Sequence, residues 1–185
     1  MPRSMPRRSL LVCLLALAAP LGLAACGSDH EEIGVEEPAR EGLAVEMEGV
    51  DYNVFITRQL NPRIPPDDAY ITEEAPPGEV LYGVFLEACN VTDEPREVAA
   101  SFSLHDNQGN EFEPESLPED NQFAYTAREL LPHECIPQAG SVAQLGPTAA
   151  SMVLFQLPLE NTENRPLELE IESGNGEKRL FELDI

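Results

Sequence analysis

The sequence predicts an all-β fold, a two-sheet antiparallel sandwich, on two observations. From about residue 45 apolar side chains recur mostly with period two, the signature of strands with one face turned inward. The runs are short and are interrupted by proline-, glycine- and asparagine-rich breaks, which close strands and turn the chain.

The elements follow in order. In "DYNVFITRQL", Tyr52, Val54 and Ile56 alternate with Asn53, Phe55 and Thr57, so the first set is expected on one face. "NPRIPPDDAYITEEAPPGE" carries five prolines and reads as a long loop. "VLYGVFLEACN" is apolar at successive positions, as a central strand covered on both faces would be. "REVAASFSLHD" predicts Val98, Ala100, Phe102 and Leu104 inward, with Ala99, Ser101 and Ser103 outward. Residues 118–132 lack a clear period, and 125–131 suit a short helical turn. "SMVLFQLP" is another apolar strand, closed by Pro158. In "PLELEIESGNGEKRLFELDI", Leu167, Leu169 and Ile171 alternate with glutamates, Gly174-Asn175-Gly176 turns the chain, and residues 180–185 return as a hairpin with one wet face. Its glutamates suit a protected sheet edge.

The first residues are of another kind. Arg3, Arg7 and Arg8 precede an apolar run over residues 10–19, the plan of a secretory signal and too short for a permanent span of about 20 residues. Leu23-Ala24-Ala25-Cys26 then resembles the lipobox of bacterial lipoproteins. That resemblance implies cleavage before Cys26 and a diacylglyceryl group on its sulfur, and two acyl chains hold a protein stably where one does not. The expected organisation is a signal helix over 1–25, a flexible acidic tether over 26–44 rich in glutamate, and one sandwich domain over 45–185.

Removing the first 25 of 185 residues leaves eight lysines and arginines against 34 acids, a formal charge of −26. Such a chain lacks the clustered cations that phosphate binding needs, which excludes nucleic acid as a natural partner. Of the four cysteines, Cys13 leaves with the signal and Cys26 takes lipid. Cys89 and Cys135 remain as a pair in an oxidising compartment; a disulfide or two separate buried thiols would account for them.

Three stretches, "YGVFLEACNVTDEPREV", "FSLHDNQGNEFEP" and "GPTAASMVLFQLP", together resemble the small immunoglobulin-like domains found behind lipoboxes in many bacteria. That family is largely of unknown function and is related in fold to a secreted mycobacterial immunogenic antigen. The matching punctuation falls at residues 90–95, 106–109 and 155–158, while the family's usual Pro-Gly before the late strand stands here as Gly146-Pro147. The resemblance implies an anchored immunoglobulin-like sandwich with no assigned chemistry.

Candidate sites are few. "DNQGNE" at 106–111 is acidic enough for a calcium reading, but Gly109 is the fourth residue of the run, not the sixth as in an EF-hand loop, so a tight hairpin turn is expected. Asp67, Asp68, Glu73 and Glu74 read as solvated loop charge, with weak metal binding as the alternative. Met47 and Met152 read as core. Asn90-Val91-Thr92 matches a glycosylation sequon. No Gly-x-Ser-x-Gly elbow is present, and His30, His105 and His133 are the only histidines. Tyr70, Phe123 and Tyr125 lie in loop sequence and either form a recognition surface or plug the sandwich end. The expectation is a non-enzymatic lipoprotein on the outer face of the cell membrane. It would need no cofactor beyond the diacylglyceryl on Cys26 and would bind an envelope protein or ligand. A calcium- or metal-binding accessory domain is the alternative.

Overall fold

The computed structural model describes residues 33–185, so the expected signal and Cys26 lie outside the described residues. The strands are β1 (Ala39–Arg40), β2 (Ala44–Met47), β3 (Val50–Leu60), β4 (Glu79–Asn90), β5 (Arg96–Glu97), β6 (Ser101–His105), β7 (Glu111–Phe112), β8 (Pro114–Glu115), β9 (Glu129–Leu130), β10 (Cys135–Ile136), β11 (Ser151–Pro158), β12 (Leu167–Glu172) and β13 (Lys178–Leu183). One turn of helix, α1 (Val142–Leu145), precedes β11. One sheet has the order β1-β13-β12-β6-β7. The other runs β2-β3-β4-β11-β8, with β10 beside β11 along the same side of β4, and β5 pairs β9 in a separate ribbon. The strands pair antiparallel except for β1 on β13. The fold is the all-β, two-sheet sandwich that the period-two pattern predicts.

The main core lies between the sheets. Val80, Tyr82, Val84 and Leu86 of β4 meet Leu167, Leu169 and Ile171 of β12 and Phe181 of β13 there. The opposite face of the six-stranded sheet carries a second core of Leu60, Tyr70, Ile71, Leu81, Phe85, Phe123, Ala143, Ala150, Met152 and Leu154. This explains why β4 is apolar at successive positions: both of its faces are covered. Met47 and Met152 are core residues, each 1 % exposed.

Several local expectations change. The register between β3 and β4 shifts between Val54 and Ile56, which marks a bulge at Phe55. A bulge inverts the parity of everything after it. Tyr52 and Val54 are therefore buried as expected, but Thr57 takes the inward place and Ile56 is 41 % exposed. Ala100 is exposed while Ala99 is buried, because regular pairing starts only at Ser101. Residues 125–131 form no helical turn; Glu129–Leu130 is a strand that pairs with β5.

Of the segment expected as a free tether, the described part, residues 33–44, is tied into the fold. Ile33 bridges Glu37, the Leu180 amide donates to the Gly34 carbonyl at 2.7 Å, and Ala39 of β1 is 1 % exposed. The physical reason is the edge of β13, whose backbone groups β1 pairs. The glutamate-rich hairpin is consequently interior to its sheet. Its outward glutamates gather around a cation: Lys178 Nζ lies 2.7 Å from Glu170 and 3.1 Å from Glu172.

Turn chemistry follows the sequence. The two residues between β2 and β3, Glu48 and Gly49, both have positive φ (55° and 82°), the type I′ geometry that suits the twist of a two-residue hairpin. Asn90, at the end of β4, is 2 % exposed. Its amide donates to the carbonyls of Glu94, Leu130 and Leu131, and its oxygen accepts from the Thr92 amide and hydroxyl. That side chain is fully used inside the fold, so the sequon is structural punctuation.

Ala99 shows how a buried irregular segment is satisfied. Its amide donates to the Tyr52 hydroxyl at 2.7 Å, and its carbonyl accepts from the Tyr125 hydroxyl at 3.0 Å. Burial pushes the Tyr52 hydroxyl up to about 12, against the Ala99 hydrogen bond and with help from the Glu48 charge. Burial also raises Tyr125 strongly. Both rings thus act as neutral hydrogen-bonding pegs. Replacing Tyr52 with phenylalanine strands the Ala99 amide and is expected to lower stability by about 1–3 kcal/mol in urea denaturation.

Candidate functional site: a groove over the second core

The proline-rich loop after β3 is anchored from within. Asp67, 2 % exposed, accepts from the Arg58 guanidinium and from the Asn61 amide at 3.0 Å. Asp67 is therefore not solvated loop charge, as the sequence suggested; its partner sits on the outer face of β3, opposite Gly83. The anchor delivers Tyr70 and Ile71 onto the sheet. Tyr70 packs edge-on against both Phe85 and Phe123, with ring centroids 4.8 Å apart in each case.

A second loop, leading out of β8, runs alongside. Asn121 ties the two loops: its amide donates to the Tyr70 carbonyl at 2.8 Å, and its side-chain oxygen accepts from the Phe123 amide at 2.9 Å. Helix α1 closes one end. Gly146 permits this closure, because a Cβ there would lie 3.0 Å from the Phe123 ring and 3.0 Å from the Val142 carbonyl.

Between these loops lies a groove of about 600 Å³. Leu81 and Leu154 contribute apolar surface from the sheet, Tyr70 and Phe123 from the two loops, and Val142, 48 % exposed, from α1. The charged residues lining it are Glu73, Glu74, Glu115 and Asp120, with no cation among them. Glu74 is paired with Arg63, whose Nη2 is 2.6 Å away. The Tyr70 hydroxyl is buried without a hydrogen-bond partner among the described residues.

Of the three aromatics singled out as a recognition surface, Tyr70 and Phe123 line this groove, though as buried residues, 0 % and 8 % exposed. Tyr125 belongs to the main core, edge-on to Phe102 at 4.9 Å, and takes no part. The groove residues that sequence reasoning missed, Leu81, Leu154 and Val142, carry no signal beyond hydrophobicity.

The remaining candidates resolve structurally. Cys89 and Cys135 face each other across β4 and β10 with their sulfurs at disulfide distance, 2.07 Å. Glu87 lies close to both sulfurs, and this is the one cluster of three potential ligand groups among the described residues. Asp106 is a turn residue, as expected, and Gly109 takes a φ of 83°. His133 is exposed, 3.0 Å from Asp93. His105 Nε2 and Ser103 Oγ are 2.9 Å apart, an i, i+2 contact that a strand places on one face.

No family model matches the sequence, and no curated protein matches it. In fold the chain is similar to several solved structures. The yjhA protein of Bacillus subtilis aligns over 79 % of this chain and 99 % of its own, at 9 % identity and a TM-score of 0.49. An uncharacterized beta-sandwich protein of Clostridium difficile 630 aligns over 80 % and 95 %, at 13 % identity and a TM-score of 0.48. The candidate lipoprotein ycdA of Bacillus subtilis aligns over 76 % of this chain and 38 % of its own, at 12 % identity and a TM-score of 0.48. The strand pairing itself defines the class as a two-sheet β-sandwich. Among the described residues no helix is long and apolar enough to cross a membrane.

Proposed function

We propose that this is a lipid-anchored extracytoplasmic binding module, without catalysis of its own, whose contact surface is the groove over the second core. The groove carries the reading. Two loops are held over an apolar sheet face by an internal ion pair and an asparagine tie, which is how a rigid frame presents a recognition surface. The lipobox at residues 23–26 supplies the anchor, with diacylglyceryl on Cys26 as the covalent group and the membrane as the first partner. The second partner is an envelope protein or ligand. The turns at residues 90–95 and 106–109 suit a fold relationship to the mycobacterial antigen group.

The test is fractionation of bacteria expressing the full chain. The expected result is that the protein sediments with membranes and is digested by protease added to intact cells or spheroplasts, and that Cys26→Ala releases it to the soluble fraction. Membrane association that survives Cys26→Ala would overturn the anchor.

A further inference from the structure

Resting on the reading of the groove as the contact surface, we propose that its ligand is a basic peptide segment in which lysine or arginine alternates with large apolar side chains. Three features select this chemistry. The groove presents apolar side chains, Leu81 and Leu154 on the sheet and Phe123 and Val142 at its sides, beside polar ones such as Gln156 and Asn121. A purely cationic ligand gains nothing from that surface, whereas apolar side chains lodged there leave water.

The lining is charged with one sign. Glu73, Glu115 and Asp120 are exposed and take part in no ion pair among the described residues, while Glu74 is already held by Arg63. An acidic peptide meets like charge here, and a neutral one leaves those carboxylates unused. The net charge of the chain, −26 after the signal is removed, adds a long-range field that draws cations toward the same surface.

The third feature is the Tyr70 hydroxyl. It belongs to a lining residue that is 0 % exposed, and it has no partner among the described residues. A buried hydroxyl left unpaired is costly, and a peptide backbone carries both donors and acceptors to satisfy it. An extended peptide also suits the shape: it places alternate side chains on opposite faces, apolar toward the sheet and basic toward the carboxylates.

The experiment uses the full chain in detergent and fluorescence anisotropy with three labelled decapeptides: alternating Lys and Leu, alternating Glu and Leu, and alternating Lys and Ser. Saturable binding is expected for Lys/Leu alone. The paired substitution Glu73→Lys with Asp120→Lys is expected to weaken it about tenfold. Val142→Glu should weaken it similarly, and the remote Glu97→Lys should leave it within about twofold. All of these positions are exposed, so the fold survives the substitutions, which circular dichroism checks. Equal binding of Lys/Ser, or equal loss with Glu97→Lys, would show charge attraction alone and overturn the proposal. Binding of Glu/Leu that Val142→Glu abolishes would overturn the ligand class while leaving the groove as the contact. Binding of no peptide overturns the peptide ligand, and the anchor is judged separately by fractionation.

Discussion

Replacing Asp106 with alanine is expected to lower the stability of the domain by about 3 kcal/mol, measured as a shift in the urea midpoint at neutral pH. The carboxylate is 6 % exposed and is the hub of two separate segments. Oδ1 accepts from the Gln108 and Asn110 amides, each at 2.9 Å. Oδ2 accepts from the side-chain amides of Asn110 at 2.8 Å, Asn161 at 3.0 Å and Asn164 at 2.8 Å. The first set closes the turn between β6 and β7. The second holds the short helical segment after β11 against that turn. Alanine removes a charge-assisted acceptor and leaves five donors without it, several of them half-buried. Asparagine at 106 is the sharper variant, because it keeps the shape but points an NH₂ at donors; it should recover less than half of the loss.

The same hub sets a pH dependence whose sign is fixed. Burial alone would raise the Asp106 carboxyl, but the hydrogen bonds from Asn110, Asn161 and Asn164 outweigh it and hold the group well below the usual carboxylate range. Its folded value lies below its unfolded value of about 3.9. The stabilisation is therefore complete above about pH 4 and is lost as pH falls through the depressed folded value. Glu41 and Glu87, both raised by burial, act in the opposite direction. Comparing wild type with Asp106→Ala isolates the hub. Below about pH 4 the difference between their urea midpoints should shrink, and a constant difference down to pH 2 would refute the assignment.

The sandwich was legible because its causes are local. Period two in β12 and the Gly174-Asn175-Gly176 turn after it are statements about neighbouring residues, and the structure agrees with them. The two-faced apolarity of β4 was legible too, but not what covers its second face. Tyr70 arrives there because Asp67 reaches Arg58, and an ion pair between a loop and a strand leaves no periodic trace. The bulge at Phe55 is equally silent, since one extra residue looks like any other until the register with β4 is known. For Tyr125 the sequence left display and packing into the sandwich equally open, and packing prevails because irregular backbone is buried here and needs tyrosine hydroxyls to satisfy it. The groove inherits all of these difficulties. Its chemistry is ordinary hydrophobicity and loop acidity, and the two loops are brought together by the tie from Asn121 to Tyr70 and by Phe123 packed on the Tyr70 ring.

The second large effect concerns Cys89 and Cys135. Reduction, or replacement of both by alanine, is expected to lower stability by about 3 kcal/mol, short of the about 4 kcal/mol that closing a loop spanning 46 residues of sequence would give in full. For a domain of this size that corresponds to a fall in melting temperature of about 10 °C. The location argues that the full entropic value is not reached. Cys89 is followed by Asn90, whose amide holds the carbonyls of Leu130 and Leu131, and the Asn90 backbone amide donates to the Glu134 carbonyl at 2.9 Å. Hydrogen bonds thus draw the same two segments together that the sulfurs join. Each restraint orders the other's partners, so the two effects are expected to be non-additive. A double-mutant cycle of the cysteine pair with Asn90→Ala should show that Asn90→Ala costs more once the disulfide is gone, because the covalent bond otherwise holds Leu130 and Leu131 near their places. Equal cost of Asn90→Ala in both backgrounds would mean that the two restraints act independently. Unchanged urea midpoints with and without reductant would mean that the pair is not oxidised in the folded protein.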